Sequence, residues 1–318
     1  MRRRLVVTDQ AFGNTVQEEA AARSAGADYA VFQCRSEGET REAVAGAHVV
    51  LNNFAPMNRA VMGTLAPGAT IIRYGVGVDN VDLTAARDLG VRVCNVPDYG
   101  VEEVADHAAA MILGLSRRLA RFDAGIRRGE WRITAMIDGL PSLREATVGL
   151  LGFGRIAQAL TRRMQAFGCR VIAHDPHASA AAAEAMQVEL VALDELLARS
   201  PILSLHVPLL ASTRHILNAE RIARLPERAI LVNTSRGGLV DEQALADALI
   251  SGRLAGAGLD AVEIEPLPAD SPLRGAPNLM LTPHAAFYSD ASVRRLQHLA
   301  AEEALRALRD EPLRCRLV

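Results

Sequence analysis

Residues Thr147–Asp175 read TVGLLGFGRIAQALTRRMQAFGCRVIAHD, and this stretch decides the fold. The apolar run Val148–Leu151 predicts a buried strand. The glycine turn Gly152-Phe153-Gly154-Arg155-Ile156-Ala157 and a helical pattern follow, and a second apolar run, Val171–Ala173, leads to Asp175. Strand, G-x-G-x-x-A turn, helix, strand and terminal acid in that order form a dinucleotide-binding βαβ fingerprint, with alanine in the third glycine place. Gly152 permits the tight turn, Gly154 lacks the Cβ that would block a pyrophosphate, and Ala157 lets the helix pack closely on the strand. Free N–H groups and the positive end of the helix dipole then suit phosphate. Asp175 falls where a carboxylate binds a ribose 2′-hydroxyl and repels a 2′-phosphate, so NAD is expected rather than NADP.

The 318 residues suffice for two domains, each with its own core. A net charge of −2 gives no electrostatic case for nucleic acid or a membrane surface. The apolar stretch Ala108–Leu115 is far too short to span a bilayer. Met1-Arg2-Arg3-Arg4 resembles the start of a signal peptide, but Thr8, Asp9 and Gln10 cut the apolar run short, so none is expected. Four scattered cysteines (Cys34, Cys94, Cys169, Cys315) suggest reduced, buried thiols in a cytoplasmic protein, with neither a disulfide framework nor a metal site. All 35 basic residues are arginine, which excludes Schiff-base lysine chemistry and a P-loop lysine.

Along the chain, residues 5–7, 29–33, 49–52, 70–73 and 91–95 read as strands. Helices are expected at 15–25, 40–45 and 59–65 between them. Such alternation predicts a parallel sheet covered on both faces. Pro97 interrupts it, a long apolar helix covers 102–119, and 121–143, with the sole tryptophan Trp131, reads as an irregular segment that could reach a partner subunit. After the dinucleotide unit the alternation resumes: helices at 180–186, 193–198 and 242–251, strands at 201–206, 229–232, 257–260 and 279–281. A last helix runs from Ser289 nearly to the end. One α/β unit with a second inserted is the expected layout, with substrate chemistry in a cleft between them.

Three loops follow strands of the second unit, where open parallel sheets place ligands. Asn233-Thr234-Ser235-Arg236-Gly237-Gly238 sets Arg236 between small residues that leave its guanidinium accessible, and such an arginine can hold a carboxylate by paired hydrogen bonds. Asp260-Ala261-Val262-Glu263-Ile264-Glu265-Pro266 supplies carboxylates, and Thr282-Pro283-His284 carries a histidine suited to proton exchange near neutral pH. The remaining histidines, His107 among them, read as structural; Asp106 and His107 are neighbours on a helix and do not face each other. Phe54, Met57 and Tyr74 are candidates to line a substrate pocket.

With these motifs in order, the chain resembles the D-isomer-specific 2-hydroxyacid dehydrogenase family over essentially its full length. Arg73-Tyr74-Gly75-Val76-Gly77-Val78-Asp79-Asn80-Val81-Asp82 looks like the family's substrate-binding glycine loop. The resemblance implies an NAD-binding Rossmann domain (99–288) inserted into a smaller flavodoxin-like α/β substrate domain (1–98 and 289–318). It also implies a homodimer, and with the sequence ending at Val318 no C-terminal regulatory domain is expected. For the site it implies substrate binding by the N–H groups of Val76 and Gly77 and by Arg236. Cofactor contacts would lie at Gly152, Gly154, Arg155, Ile156, Asp175, His206, Thr234 and Asp260, the last on the nicotinamide amide. Arg236 and a His284–Glu265 pair would be catalytic. The expected reaction interconverts a small 2-oxo acid and its D-2-hydroxy acid with NAD(H). Asn95-Val96-Pro97-Asp98-Tyr99-Gly100 and His284-Ala285-Ala286-Phe287-Tyr288-Ser289 resemble the C-terminal-binding-protein branch more closely. That branch includes NADH-sensing corepressors, so a corepressor-like binding protein stands as one alternative to the enzyme reading; a phosphite-type dehydrogenase, which shares the scaffold, is the other.

Overall fold

Strands that are apolar on both faces must be covered by helices on both sides, and the chain meets that demand twice. A computed structural model describes residues 2–131, 140 and 142–318. It divides into two units, Met1–Gly100 with Tyr288–Val318, and Val101–Phe287.

In the first unit β1 (Arg4–Val7), β2 (Asp28–Val31), β3 (Val49–Asn52), β4 (Thr70–Arg73) and β5 (Arg92–Cys94) pair in parallel, in the order β2-β1-β3-β4-β5. That is the flavodoxin-like order, with its topological switch between β1 and β3. Val6, Val50, Ile71 and Val93 pack with Met57, Val61, Ala85 and Ala86 into one core. The closing helix, Asp290–Leu308, lies against the helix Val16–Ser24 and against β3 and β4. Its start carries a capping box between Ser289 and Ser292.

The second unit holds seven parallel strands: β6 (Thr147–Leu151), β7 (Arg170–His174), β8 (Glu189–Leu190), β9 (Ile202–Leu205), β10 (Ala229–Asn233), β11 (Leu254–Leu259) and β12 (Leu279–Leu281). Their order, β8-β7-β6-β9-β10-β11-β12, is the Rossmann arrangement with one strand added. Period-two alternation divides the core. Val148, Leu150, Ile202, Ile230 and Val232 face the helices Val101–Ser116 and Arg155–Ala166, while Leu151, Leu203, Leu205, Ala229 and Leu231 face the opposite layer. Arg163 ties those two helices by bonds to Glu102 (2.7 Å) and Asp106 (2.6 Å), so Asp106 indeed turns away from His107.

The local departures from the sequence reading have physical causes. Leu119–Arg127 is a helix, not irregular chain: Leu119, Phe122 and Ile126 recur at helical spacing among arginines that mask the pattern. Trp131 is 84% exposed, and the rest of the expected arm at 132–139 and 141 lies outside the described residues. Short helices at Leu83–Asp88 and Ala219–Arg224 had no apolar period to announce them; side-chain caps from Asp82 and Asn218 hold their first turns. Two-residue β8 lies at the exposed sheet edge and is equally silent. All four cysteines are free, and three are buried. Among the described residues no helix is long and apolar enough to cross a membrane. No group of three potential metal ligands forms there either.

Candidate active site

The glycine turn at the end of β6 shows two different reasons for glycine. Gly152 has φ +95°, and a Cβ there would stand 2.6 Å from the carbonyl oxygen of His206, so the chain itself demands glycine. Gly154 has an unremarkable φ of −75°, and a Cβ would meet nothing within 4 Å. The protein's own packing therefore does not require glycine at 154; open space lies over it, at the start of a helix that no side chain caps. Arg155 and Ile156 form the first turn beyond it. Asp175, just past β7, is held by two backbone donors: Phe153 N–H to Oδ2 (2.9 Å) and His177 N–H to Oδ1 (2.8 Å). Its carboxylate is thus anchored beside the turn with lone pairs to spare.

Two further groups on the same strand ends have polar atoms suited to a ligand. Thr234, after β10, has a buried Oγ1 with no hydrogen-bond partner, an orphan of the kind a bound polar molecule satisfies. His206, after β9, pairs its Nε2 with Ser204 Oγ at 2.9 Å, and burial pushes its pKa down to about 4, so the ring is neutral at physiological pH. Open space at Gly154, the anchored Asp175 and the unsatisfied Thr234 hydroxyl fit a nicotinamide dinucleotide.

Arg236 is presented by its own loop. Asn233 is fully buried; its Nδ2 donates to Arg236 O (2.8 Å) and its Oδ1 accepts from Ser235 N–H (3.0 Å). Ser235 Oγ donates to Leu205 O on β9. The loop lies directly on Val262 and Glu263: a Cβ at Gly237 would come within 1.9 Å of the Val262 carbonyl carbon. That contact sets Arg236 near the segment carrying Glu265.

Glu265 and His284 meet. His284 Nδ1 lies 2.9 Å from Glu265 Oε2 and 3.1 Å from Oε1. An ionised carboxylate only accepts, so Nδ1 carries the proton and Nε2 remains for exchange. Half-burial pushes the Glu265 carboxyl upward, but the hydrogen bond and charge of His284, the Val262 N–H and the charge of Arg236 outweigh it and hold it below the usual range. His284 adopts a left-handed backbone, φ +53°, which is uncommon outside glycine.

Asp260 is 2% exposed, and its carboxylate is already engaged. Oδ1 accepts from Ala285 N–H (2.8 Å) and from the Thr282 hydroxyl (2.5 Å), and Oδ2 accepts from Ala286 N–H (2.9 Å). The expected amide contact aside, this residue shapes the turn that carries His284. Asp260, Thr282 and His284 stood in the quoted motifs, but their mutual bonds arise only where β11 and β12 lie side by side.

In the first unit, Val76 is 47% exposed, and among the described residues neither the Val76 nor the Gly77 N–H donates to another group. Asp9, which the sequence shows only as an end to the first apolar run, holds the neighbouring loop: its buried carboxylate accepts from Asn53, Phe54 and Ala55 N–H and from the Thr8 hydroxyl. Phe54 is left 63% exposed. Tyr74 and Met57 are not pocket-lining residues. Tyr74 is 1% exposed, its hydroxyl donating to buried Glu18 Oε1 at 2.9 Å and its ring edge-on to Phe12, and Met57 is fully buried. The residue after β4 turns inward because that hydroxyl finds an acceptor in the core.

Comparison with known proteins agrees with these features. Residues 109–286 match the family model described as "D-isomer specific 2-hydroxyacid dehydrogenase, NAD binding domain". A glyoxylate reductase of Korarchaeum cryptofilum is 39% identical over 250 residues, 77% of this chain and 75% of that protein. A D-3-phosphoglycerate dehydrogenase of Methanocaldococcus jannaschii is 38% identical over 264 residues, 83% of this chain but only 50% of that longer protein. The crystal structure of the TT0316 protein from Thermus thermophilus superposes with a TM-score of 0.87 at 35% identity, covering 99% of this chain and 100% of that one. The chain belongs to the D-isomer-specific 2-hydroxyacid dehydrogenase family.

Proposed function

We propose that the protein is an NAD(H)-dependent oxidoreductase that interconverts a small 2-oxo acid and its D-2-hydroxy acid. The observation that carries this reading is the His284–Glu265 pair, 2.9 Å apart, with Arg236 close enough for its charge to act on Glu265. The second unit binds the cofactor at Gly152, Gly154, Arg155, Ile156, Asp175, His206, Thr234 and Asp260, and a bound nicotinamide dinucleotide supplies the hydride. Asp175 favours NAD by accepting from the ribose hydroxyls and repelling a 2′-phosphate.

In the reducing direction, Nε2 of protonated His284 gives its proton to the oxygen that was the substrate carbonyl. Glu265 holds Nδ1–H, keeps the ring oriented and stabilises the imidazolium before transfer. Arg236 grips the substrate carboxylate through paired hydrogen bonds and polarises the carbonyl, and the unspent N–H groups of Val76 and Gly77 are the first unit's proposed substrate donors. The oxidative direction reverses the proton path through the same atoms. Names of the relatives, a glyoxylate reductase and a phosphoglycerate dehydrogenase, support an enzyme of this class.

The test is NADH oxidation across a panel of 2-oxo acids, glyoxylate, pyruvate and hydroxypyruvate included, with phosphite plus NAD as a separate arm. Turnover of a 2-oxo acid that is lost in His284→Gln is expected. Activity with phosphite alone would replace the substrate class. NADH binding without turnover in every arm would overturn the enzyme reading in favour of a cofactor-sensing binding protein. A homodimer is part of the proposal and is checked by sedimentation.

A further inference from the structure

His107 lies on the helix Val101–Ser116, far in sequence from the loops that carry the site chemistry, yet its ring closes a chain of hydrogen bonds that ends at His284. Its Nε2 is 3.0 Å from Thr282 Oγ1 and 3.7 Å from Asp260 Oδ1. Thr282 donates its single hydroxyl proton to Asp260 Oδ1, so the bond between His107 and Thr282 must be donated by Nε2–H. This fixes one tautomer for the ring. Asp260, nearly fully buried, gathers the N–H groups of Ala285 and Ala286, and its backbone carbonyl accepts from His284 N–H at 2.8 Å. These three successive donors, held on one aspartate, impose the left-handed conformation at His284.

We propose that His107 is a positioning residue for proton transfer: through the Thr282 hydroxyl it holds the Asp260 carboxylate in the orientation that keeps His284 on Glu265. Without the His107 donor, the Thr282 hydroxyl is free to rotate. Asp260 Oδ1 then has a competing partner in place of a fixed one, and the turn loses the alignment of its carboxylate. The aligned Nδ1–H bond to Glu265 depends on that turn, because a non-glycine residue at φ +53° relaxes when its restraints loosen.

The role in proton transfer rests on the function proposed above, whereas the hydrogen-bond chain does not, and the experiment separates the two. Four full-length proteins are compared: wild type, His107→Leu, His107→Gln and Thr282→Val. The first readout needs no turnover: 15N-histidine NMR, which reports the tautomer of His107 and the downfield Nδ1–H proton of His284 bonded to Glu265. Wild type is expected to show His107 as the Nε2–H tautomer and a protected His284 proton. His107→Leu and Thr282→Val should lose that protection, and His107→Gln, which keeps a donor at similar reach, should restore it. The second readout is kcat at saturating NADH with the active 2-oxo acid, expected to fall about ten- to a hundredfold in the two disrupting variants. His107→Gln should return kcat to near wild type. An unchanged His284 proton in both His107→Leu and Thr282→Val overturns the proposal, as does a His107 ring in the Nδ1–H tautomer. If wild type turns over no 2-oxo acid, the functional reading fails and the NMR arm still decides the hydrogen-bond chain. Should His107→Leu fail to fold, Thr282→Val, which is nearly isosteric, decides the matter by the same NMR readout.

Discussion

Alanine at Gly154 separates a ligand's requirement from the chain's own. The backbone there has φ −75°, open to any residue, and the added methyl meets no protein atom within 4 Å. Alanine is a poorer N-cap residue than glycine, by no more than about 1 kcal/mol. The stiffer unfolded chain returns about 0.4–1 kcal/mol. The two nearly cancel, so the melting temperature should shift by less than about 4 °C. If this space is where a pyrophosphate meets the backbone, the methyl stands in its way. The affinity for NADH should then drop at least tenfold, about 1.4 kcal/mol. Gly152→Ala is the contrasting variant. There φ is +95° and the Cβ would press to 2.6 Å on the His206 carbonyl oxygen, which is backbone and cannot swing aside. Strain of about 1–3 kcal/mol from the dihedral alone should lower the urea midpoint. Nicotinamide fluorescence titration paired with urea melts distinguishes the two. Wild-type NADH affinity in a folded Gly154→Ala protein would refute the reasoning, and so would a stability loss as large as that of Gly152→Ala.

Other consequences are as direct. His284→Ala should lower kcat by about 10²–10⁴-fold with NADH binding intact, read by steady-state kinetics beside a cofactor titration. Asp175→Ala should narrow the preference for NADH over NADPH by raising kcat/KM with NADPH; an unchanged ratio contradicts its ribose role. Asp9→Ala strands three backbone donors at Asn53, Phe54 and Ala55 and should cost at least about 3 kcal/mol in urea unfolding. Burial raises the Glu18 carboxyl above its ordinary 4.5, opposed by its backbone bond and by hydrogen bonds from Tyr74 and Gln297. A raised carboxyl loses stability as pH climbs through the unfolded value toward the folded one. Glu18→Gln should therefore melt higher than wild type at neutral pH, with the advantage vanishing near pH 4.

The alternation of strands and helices was legible because parallel strands buried on both faces read as short apolar runs, and the stretch Thr147–Asp175 announced itself by glycine spacing. Arg236, Glu265 and His284 could be singled out because each follows a strand of one sheet. What did not show was direction. Tyr74 has the look of a pocket residue in sequence, yet its hydroxyl sits on Glu18, since nothing local in Arg73-Tyr74-Gly75 says which way the chain turns after β4. His107 reads as merely structural for the same reason: its partner, Thr282, is 175 positions away, and no periodicity encodes a bond between a helix and a distant turn. Asp9 holds a loop more than forty positions on by charge and geometry, which composition cannot reveal.

The division of the first unit between the two ends of the chain has a consequence for how the molecule is made. Val101–Phe287 is one continuous piece and can complete its seven-stranded sheet as soon as it leaves the ribosome. The first hundred residues contain all five strands of their own sheet but lack the helix Asp290–Leu308, whose buried face of Leu296, Ala300, Ala301, Ala304 and Ala307 belongs against them. Until the last thirty residues are synthesised, β3 and β4 lack that cover, and the helix Val16–Ser24, which also touches β2, lacks its main neighbour. The unit begun first is finished last, and its apolar face is the nascent surface for which chaperones and aggregation compete.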